Sequence, residues 1–325
     1  MSYLGKELIK LRKEKGVSQE NIAKKLDCTR SYICKLESGE RIPNKELVLK
    51  ISDVFSLESY MTNKLLILAK LSPELSSDSD SHRIALRLII DFKNDGLLEE
   101  ARYLISTCLK IFDNKIELSS LMANLHLLKD DFDKAIKLNE EVLEHFPEQE
   151  TDKLKITKAE IVHNLGYVYL EKALKLKKEW EISNINKVGE SEKQLRKDCI
   201  ENLDTAIEKF ELALQEEPEH EHIIEQLAVA YLNRASIEEN ESIKSNWLNK
   251  SIQMYDQVIS SPVKHQSDTS KVNSSIFLAM IFGKLKKLEE ASRLINIIIC
   301  CQPKYFLGYY AKACIYALNG KDMDS

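Results

Sequence analysis

The sequence predicts an all-α chain, and three observations carry that prediction. Turn formers are scarce, with 9 Gly and 6 Pro among 325 residues. Apolar residues recur at three- and four-residue spacings along most of the chain, as amphipathic helices require. The alternating pattern of half-buried strands is absent. A hydrophobic content of 43% and a charged content of 30% belong to an ordinary globular chain. The length allows two domains.

Residues 1–71 form a dense set of short helical patterns and read as a five-helix domain. Leu4, Leu8 and Leu11 share one face, and Gly16 ends that helix. Ser18 is a good N-cap for the second helix, which turns Ile22, Ala23 and Leu26 inward. Asp27-Cys28 forms the turn, Thr29 caps the third helix and Gly39 stops it. Pro43-Asn44 starts a fourth helix, and a fifth is expected from about Ser56. Residues 72–82, rich in Ser and Asp and containing Pro73, read as a linker. Longer amphipathic segments fill residues 83–320.

The third helix is the informative one. At about 100° per residue, Arg30, Ser31, Cys34 and Lys35 fall on one arc, and Ile33 and Leu36 on the opposite side. A short helix with an apolar back and a polar, basic front fits a DNA major groove. Charge agrees with this. Residues 1–72 carry 14 Lys+Arg against 9 Asp+Glu, whereas the remainder carries 33 against 43. A basic head suits a polyanion, and an acidic body does not. Lys13, Lys15, Lys24, Lys25 and Arg41 belong either to that footprint or to a solvated face.

The run Ser18-Gln19-Glu20-Asn21-Ile22-Ala23, continued by Tyr32 through Pro43, resembles the phage-repressor/Cro-type (XRE) helix-turn-helix family. The resemblance covers about residues 4–60. It implies a phosphate contact from Gln19 and base contacts from Arg30, Ser31 and Lys35, with Thr29 nearby and Arg41 counted in the DNA-facing set. It also implies an internal ion pair between Arg12 and Glu37. Asp27 stands where the family has a turn glycine, and Asp tolerates left-handed geometry.

The body contains repeats. Val162-x2-Leu165-Gly166-x2-Tyr169, then Ala206-x3-Phe210, then Pro218 follow the tetratricopeptide pattern, with the second half displaced by 28 residues. Residues 272–303 and 116–147 keep the spacing without that insertion, and residues 221–262 keep it around a shorter one. Residues 83–113 read as a degenerate first pair, and residues 306–318 as a lone final helix. Gly or Ala permits a close helix crossing, and aromatic residues fill the space toward the next repeat. The insertion predicts two lengthened helices with a tip near residues 183–190. The final helix has Lys312 as its only internal charge and is expected to be buried, in its own chain or against a second subunit.

In this repeat family the first helix of each pair lines a groove. That places Asn124, His163, Asn164 and Tyr167 there, then Gln226, Val229 and Asn233, then Asn273, Phe277, Met280 and Tyr310. Asn and Gln amides can satisfy both the N–H and the C=O of an extended peptide. A Cro-type head on a tetratricopeptide body resembles the peptide-pheromone receptors of the Rgg/NprR/PlcR/PrgX group. That resemblance implies a homodimer, a palindromic DNA operator, a short signalling peptide as ligand and control of transcription. The alternative is a scaffold whose repeats grip another protein while the head tethers or dimerises it.

No phosphate loop, nucleophile elbow or paired metal-ligand motif is visible, so neither an enzyme nor a cofactor or metal is expected. His220-x-His222 reads as an isolated surface pair. The seven cysteines lack CxxC spacing and read as small buried hydrophobes, apart from the vicinal Cys300-Cys301 and Cys34 on the exposed arc. The N-terminus has no apolar signal core, and no apolar run is long enough to span a bilayer, which predicts a cytoplasmic chain.

Overall fold

The computed structural model describes residues 2–113, 115–147, 156–186, 189–260 and 268–318. These residues form sixteen α-helices and no strand. The chain divides into two compact units, residues 1–129 and 130–325.

The first unit holds α1 (Tyr3–Glu14), α2 (Gln19–Lys25), α3 (Arg30–Ser38), α4 (Lys45–Phe55), α5 (Ser59–Leu68), α6 (Ser79–Asn94), α7 (Leu98–Ile111) and α8 (Ile116–Leu127). Ser2, Ser18, Thr29, Asn44 and Asp78 each cap a helix by accepting a backbone N–H of its first turn. One core gathers Leu4, Leu8, Leu11, Ile22, Leu26, Ile33, Leu36, Val48, Ile51 and Phe55. Gly5 allows α1 to approach the end of α3, because a Cβ there would lie 2.2 Å from the Glu37 carbonyl oxygen. The fifth helix begins at Ser59 rather than near Ser56. Ser56 adopts φ 49° and closes α4 by donating its N–H to Asp53 and Ser52.

The segment after α5 is tied down. Asn63 donates to the Glu74 carbonyl (3.2 Å) and accepts from the Glu74 N–H (2.6 Å). The Tyr60 hydroxyl donates to Asp91, and Arg87 lies 4.5 Å over the Tyr60 ring. Ile67 is 1% exposed and packs with Ala85, Leu88, Ile89 and Phe92. The helix expected from residue 83 starts at Ser79, where Asp78 caps it. The head and the first helical pair therefore share one compact unit.

The second unit holds α9 (Phe132–Glu144), α10 (Lys158–Asn186), α11 (Gly189–Glu216), α12 (Glu221–Ile237), α13 (Glu241–Ser260), α14 (Asp268–Lys284), α15 (Leu288–Cys301) and α16 (Phe306–Leu318). The 28-residue insertion lengthens α10 and α11 to 29 and 28 residues, about 40 Å each. Residues 187–188, at the expected tip, lie outside the described residues. The crossing depends on Gly166, whose Cβ would meet the Phe210 ring at 3.0 Å. Phe210 and Tyr255 are fully buried and Tyr231 is 4% exposed, so these repeat aromatics fill the interior. Ser251 donates to the Ala228 carbonyl at 2.9 Å and ties α13 to α12.

The final helix is only partly buried in its own chain. Ala311 and Ile315 point inward, while Phe306 and Tyr310 are 71% and 61% exposed. Of the cysteines expected to be buried, Cys108 and Cys199 are, whereas Cys28 and Cys314 are only partly so. Cys34 and Cys300, set apart from that expectation, are exposed.

A fragment ending at residue 71 strips Ile67 of its α6 neighbours and Asn63 of Glu74. Loss of the Ile67 burial alone is worth about 2 kcal/mol. Urea unfolding of fragments 1–71 and 1–129 tests this, with the shorter one expected to melt first. Matching free energies would show that the head does not depend on the first helical pair.

Candidate nucleic-acid interface and repeat cavity

The N-terminal site is built by two capped helices and the turn between them. Ser18 accepts from the Asn21 N–H (3.1 Å) to start α2. Asp27 then adopts φ 51°, as its left-handed tolerance allows. Cys28 donates back to the Ala23 carbonyl (2.9 Å), and Thr29 accepts from the Tyr32 N–H (3.2 Å) to open α3.

Ile33 and Leu36 are 3% and 1% exposed, so the back of α3 is held in the core. Arg30, Ser31, Cys34 and Lys35 are exposed together on its front. Thr29 is exposed at its start. Arg41 is exposed just past its end, where its N–H donates to the Lys35 carbonyl (3.1 Å). The front therefore carries three cations within one short stretch.

Gln19 opens α2, and its amide Nε2 donates to Glu37 at 2.8 Å. Glu37 is 5% exposed. Arg12 reaches the same carboxylate through Nε (2.5 Å) and Nη2 (3.1 Å), and its Nη1 donates to the Val17 carbonyl (3.1 Å). Burial pushes the Glu37 carboxyl up. The hydrogen bonds from Arg12 and Gln19 and the charges of Arg12 and Lys13 outweigh it and hold the group below the ordinary carboxylate range. This stabilisation is present above the unfolded carboxylate's range and is lost as pH falls through the depressed value.

The residues expected to line the repeat groove fall in both units. Asn124 lies on α8, in the first unit, and the others lie in the second. The His163 ring packs between Phe210 (ring centres 5.7 Å apart) and His222 (5.1 Å), with Tyr167 and His220 each at 6.5 Å. His220-x-His222 is thus not an isolated pair, because the chain reversal before α12 brings both rings to α10. Burial first, then His222 and His220, push His163 down to about 4, while a hydrogen bond with Asn164 acts the other way. Among the described residues, no three His, Cys, Asp or Glu side chains are placed to hold a metal ion.

Tyr167 is half-buried, and Gln226 and Val229 are partly buried on α12. Asn233 is engaged at both ends of its amide, donating to the Val229 carbonyl (2.9 Å) and accepting from Lys177 Nζ (2.9 Å). Asn273 accepts from the Tyr305 hydroxyl. Phe277 stacks on Tyr255 at 5.8 Å and stays 38% exposed. Met280 packs in the α14–α16 core, and Tyr310 is exposed on α16.

Asn233 also lines a cavity of about 390 Å³ with Phe132, Leu174, Lys175, Lys177 and Glu181 among its walls. The lysines were not singled out in the sequence, where they fall within the insertion expected to lengthen two helices. Their one legible signal is spacing, since Leu174, Lys177, Lys178 and Glu181 recur at three- and four-residue steps on one face.

Residues 8–59 match the helix-turn-helix family. The chain thus carries an N-terminal helix-turn-helix domain, of the class that binds DNA, followed by helical pairs of tetratricopeptide type. No curated protein matches the chain. Among solved structures, the fold is similar to that of the monomeric IFIT1 mutant with Gppp-AAAA, at a TM-score of 0.51 and 16% identity over 86% of this chain. The chain spans 60% of that IFIT1 chain. YrrB, a TPR protein with an unusual peptide-binding site, aligns at a TM-score of 0.43 and 12% identity, covering 71% of this chain and 91% of its own. Bacillus thuringiensis PlcR, in complex with the peptide PapR7 and DNA, aligns at a TM-score of 0.39 and 16% identity, covering 94% of this chain and 99% of its own. Among the described residues, no helix is long and apolar enough to cross a membrane.

Two substitutions test the buried groups. Arg12→Met leaves Glu37 buried without its cation and is expected to cost about 3 kcal/mol in chemical unfolding. Arg12→Lys should recover only part, having lost the two-pronged contact. For His163, the folded chain refuses a proton that the unfolded chain accepts below its ordinary value of about 6.5. Stability is therefore lost as pH falls from about 6.5 toward 4. Between pH 7.5 and 5 that loss amounts to about 2 kcal/mol. Urea midpoints at those two pH values should differ less for His163→Leu than for the unaltered protein. An equal pH dependence in both would rule out His163 as the source.

Proposed function

We propose that this chain is a sequence-specific DNA-binding transcriptional regulator whose repeats sense a short peptide. The observation that carries the DNA half is the divided surface of α3. Its Ile33–Leu36 back is locked in the core, while Arg30, Ser31 and Lys35 stand free on its front. On this reading residues 1–71 read the operator. Arg30 and Lys35 contact base edges, Ser31 and Thr29 lie beside them, and Arg41 and Gln19 meet phosphates. Gln19 keeps one amide hydrogen and its carbonyl for that role while Nε2 stays on Glu37.

Peptide sensing is assigned to the repeats from residue 83 to 320. Its support is the set of amide and aromatic side chains on α10, α12 and α14, Asn164, Gln226, Asn273 and Phe277 among them, together with the cavity that Asn233 lines. Two copies of the chain on a palindromic site would place two heads about 34 Å apart. The exposed Phe306 and Tyr310 of α16 suit burial against a second copy. A peptide that prefers one arrangement of the repeats would then change operator affinity.

The test is duplex binding by fluorescence anisotropy, using sites selected from a random pool. Affinity should fall steeply with salt, and the selected sites should be preferred over random duplex by at least about a thousandfold. Arg30→Ala should cost about 1–3 kcal/mol on the selected site and relax the preference at one base position. A protein that retains no duplex at low ionic strength is not a regulator of this kind.

A further inference from the structure

Lys177 is the most unusual cation of the second unit. Its side chain is only 17% exposed although it lies on the extension of α10. Its ammonium has a full hydrogen bond to a neutral acceptor, the Asn233 amide oxygen at 2.9 Å. The nearest carboxylate, Glu181, is 4.0 Å away and 55% exposed, too far for a hydrogen bond. An ammonium has three N–H groups to satisfy. Burial in this position disfavours its charge, and Lys284 adds to that, while Glu181 opposes it. A mostly buried cation held by a neutral amide has its geometry fixed, and its charge is met only by the more distant, largely exposed Glu181.

The surrounding charges are spoken for in different ways. Lys175 pairs with Asp130 at 3.0 Å and lies 5.5 Å over the Phe132 ring. Glu171 takes the Tyr167 hydroxyl as a hydrogen-bond donor. Lys178 is exposed at the rim. The cavity of about 390 Å³ before Lys177 falls in the range that holds small ligand groups, roughly 300–1,000 Å³. Phe132 and Leu174 give it apolar walls.

We infer that this cavity receives a carboxylate of the groove ligand, with Lys177 as its anchor and Asn233 as the residue that aims Lys177. The inference rests on the peptide reading above and names the chemistry that reading lacks. Asn233 thus acts through Lys177, because its amide oxygen is committed to that ammonium and its amide nitrogen to the Val229 carbonyl. An incoming carboxylate would take the unmatched N–H groups of Lys177 and supply a closer opposite charge. The carboxylate has two sources in a peptide, the free C-terminus or an Asp or Glu side chain.

The experiment uses the full chain and three synthetic pools of random heptapeptides. One has free C-termini and all residue types, one is C-terminally amidated, and one is amidated and lacks Asp and Glu. Each pool is equilibrated with the protein, the complex is isolated by gel filtration, and retained peptides are identified and quantified by mass spectrometry. Retention from the carboxylate-bearing pools should exceed that from the third by about tenfold. Whether the excess survives amidation assigns it to a side chain or to the C-terminus. Lys177→Gln, which keeps a donor for Asn233, should abolish the excess, and Lys177→Arg should keep it. Matching circular dichroism of the variants establishes that both are folded.

Equal retention from all three pools, or an excess unchanged in Lys177→Gln, overturns the carboxylate site and leaves peptide binding standing. No retention from any pool overturns the peptide reading and the carboxylate site together.

Discussion

Glu37 carries a charge beneath the surface of the N-terminal helices, and the geometry of the helix-turn-helix depends on how that charge is met. Arg12 brings α1 to it, Gln19 brings the start of α2, and Glu37 itself sits on α3. Arg12 also holds the Val17 carbonyl, so the α1–α2 connection is fixed by the same guanidinium. Three helices and one loop thus meet at a single carboxylate. Such a buried pair adds little net stability over apolar packing, but it tolerates few alternative arrangements. Here that restriction has a use. The polar front of α3 presents a fixed pattern only if the rotation of α3 against α2 is fixed, and Glu37 lies at the border between that front and the buried Ile33–Leu36 back.

How much of this was legible in the sequence depends on the range of the interaction. The caps at Ser18, Thr29 and Asn44, the turn at Asp27 and the inward Ile33–Leu36 pair are local, and local patterns expose them. The fifth helix was placed early because Ser56 is a fair N-cap by type. Its backbone instead turns left-handed and closes the helix before it. The repeats were legible through small and aromatic positions, since Gly166 must let Phe210 close at 3.0 Å of a would-be Cβ. What no local pattern could give were meetings of distant residues. His163 and His222 are far apart in sequence, and so are Lys177 and Asn233. His222 read as a surface residue and Lys177 drew no assignment, because burial by another helix leaves no trace in the sequence around it.

The Ser- and Asp-rich stretch after α5 shows the opposite error of composition. It has the makeup of a loose connection, yet Asn63 binds both the N–H and the C=O of Glu74 across it. Polar composition reports what a segment can do with water. It does not report whether a neighbouring amide has captured its backbone. Tyr60 and Ile67 then close the contact from either side, one by a hydroxyl bond to Asp91 and one by apolar packing on α6.

That contact bears on how a movement of α6 could reach α3 within the first unit. Coupling between elements needs a contact that is packed on both sides and cannot be deformed smoothly. The α5–α6 contact meets that condition, since Ile67 and Leu88 are almost wholly buried there. α5 is itself part of the head, sharing Leu65 and Leu66 with the core that anchors Ile33 and Leu36. A displacement of α6 would therefore reach the support of α3 through the buried side chains of α5. The head and the first helical pair thus form one compact unit, joined by the packing of Ile67 on α6 and α7.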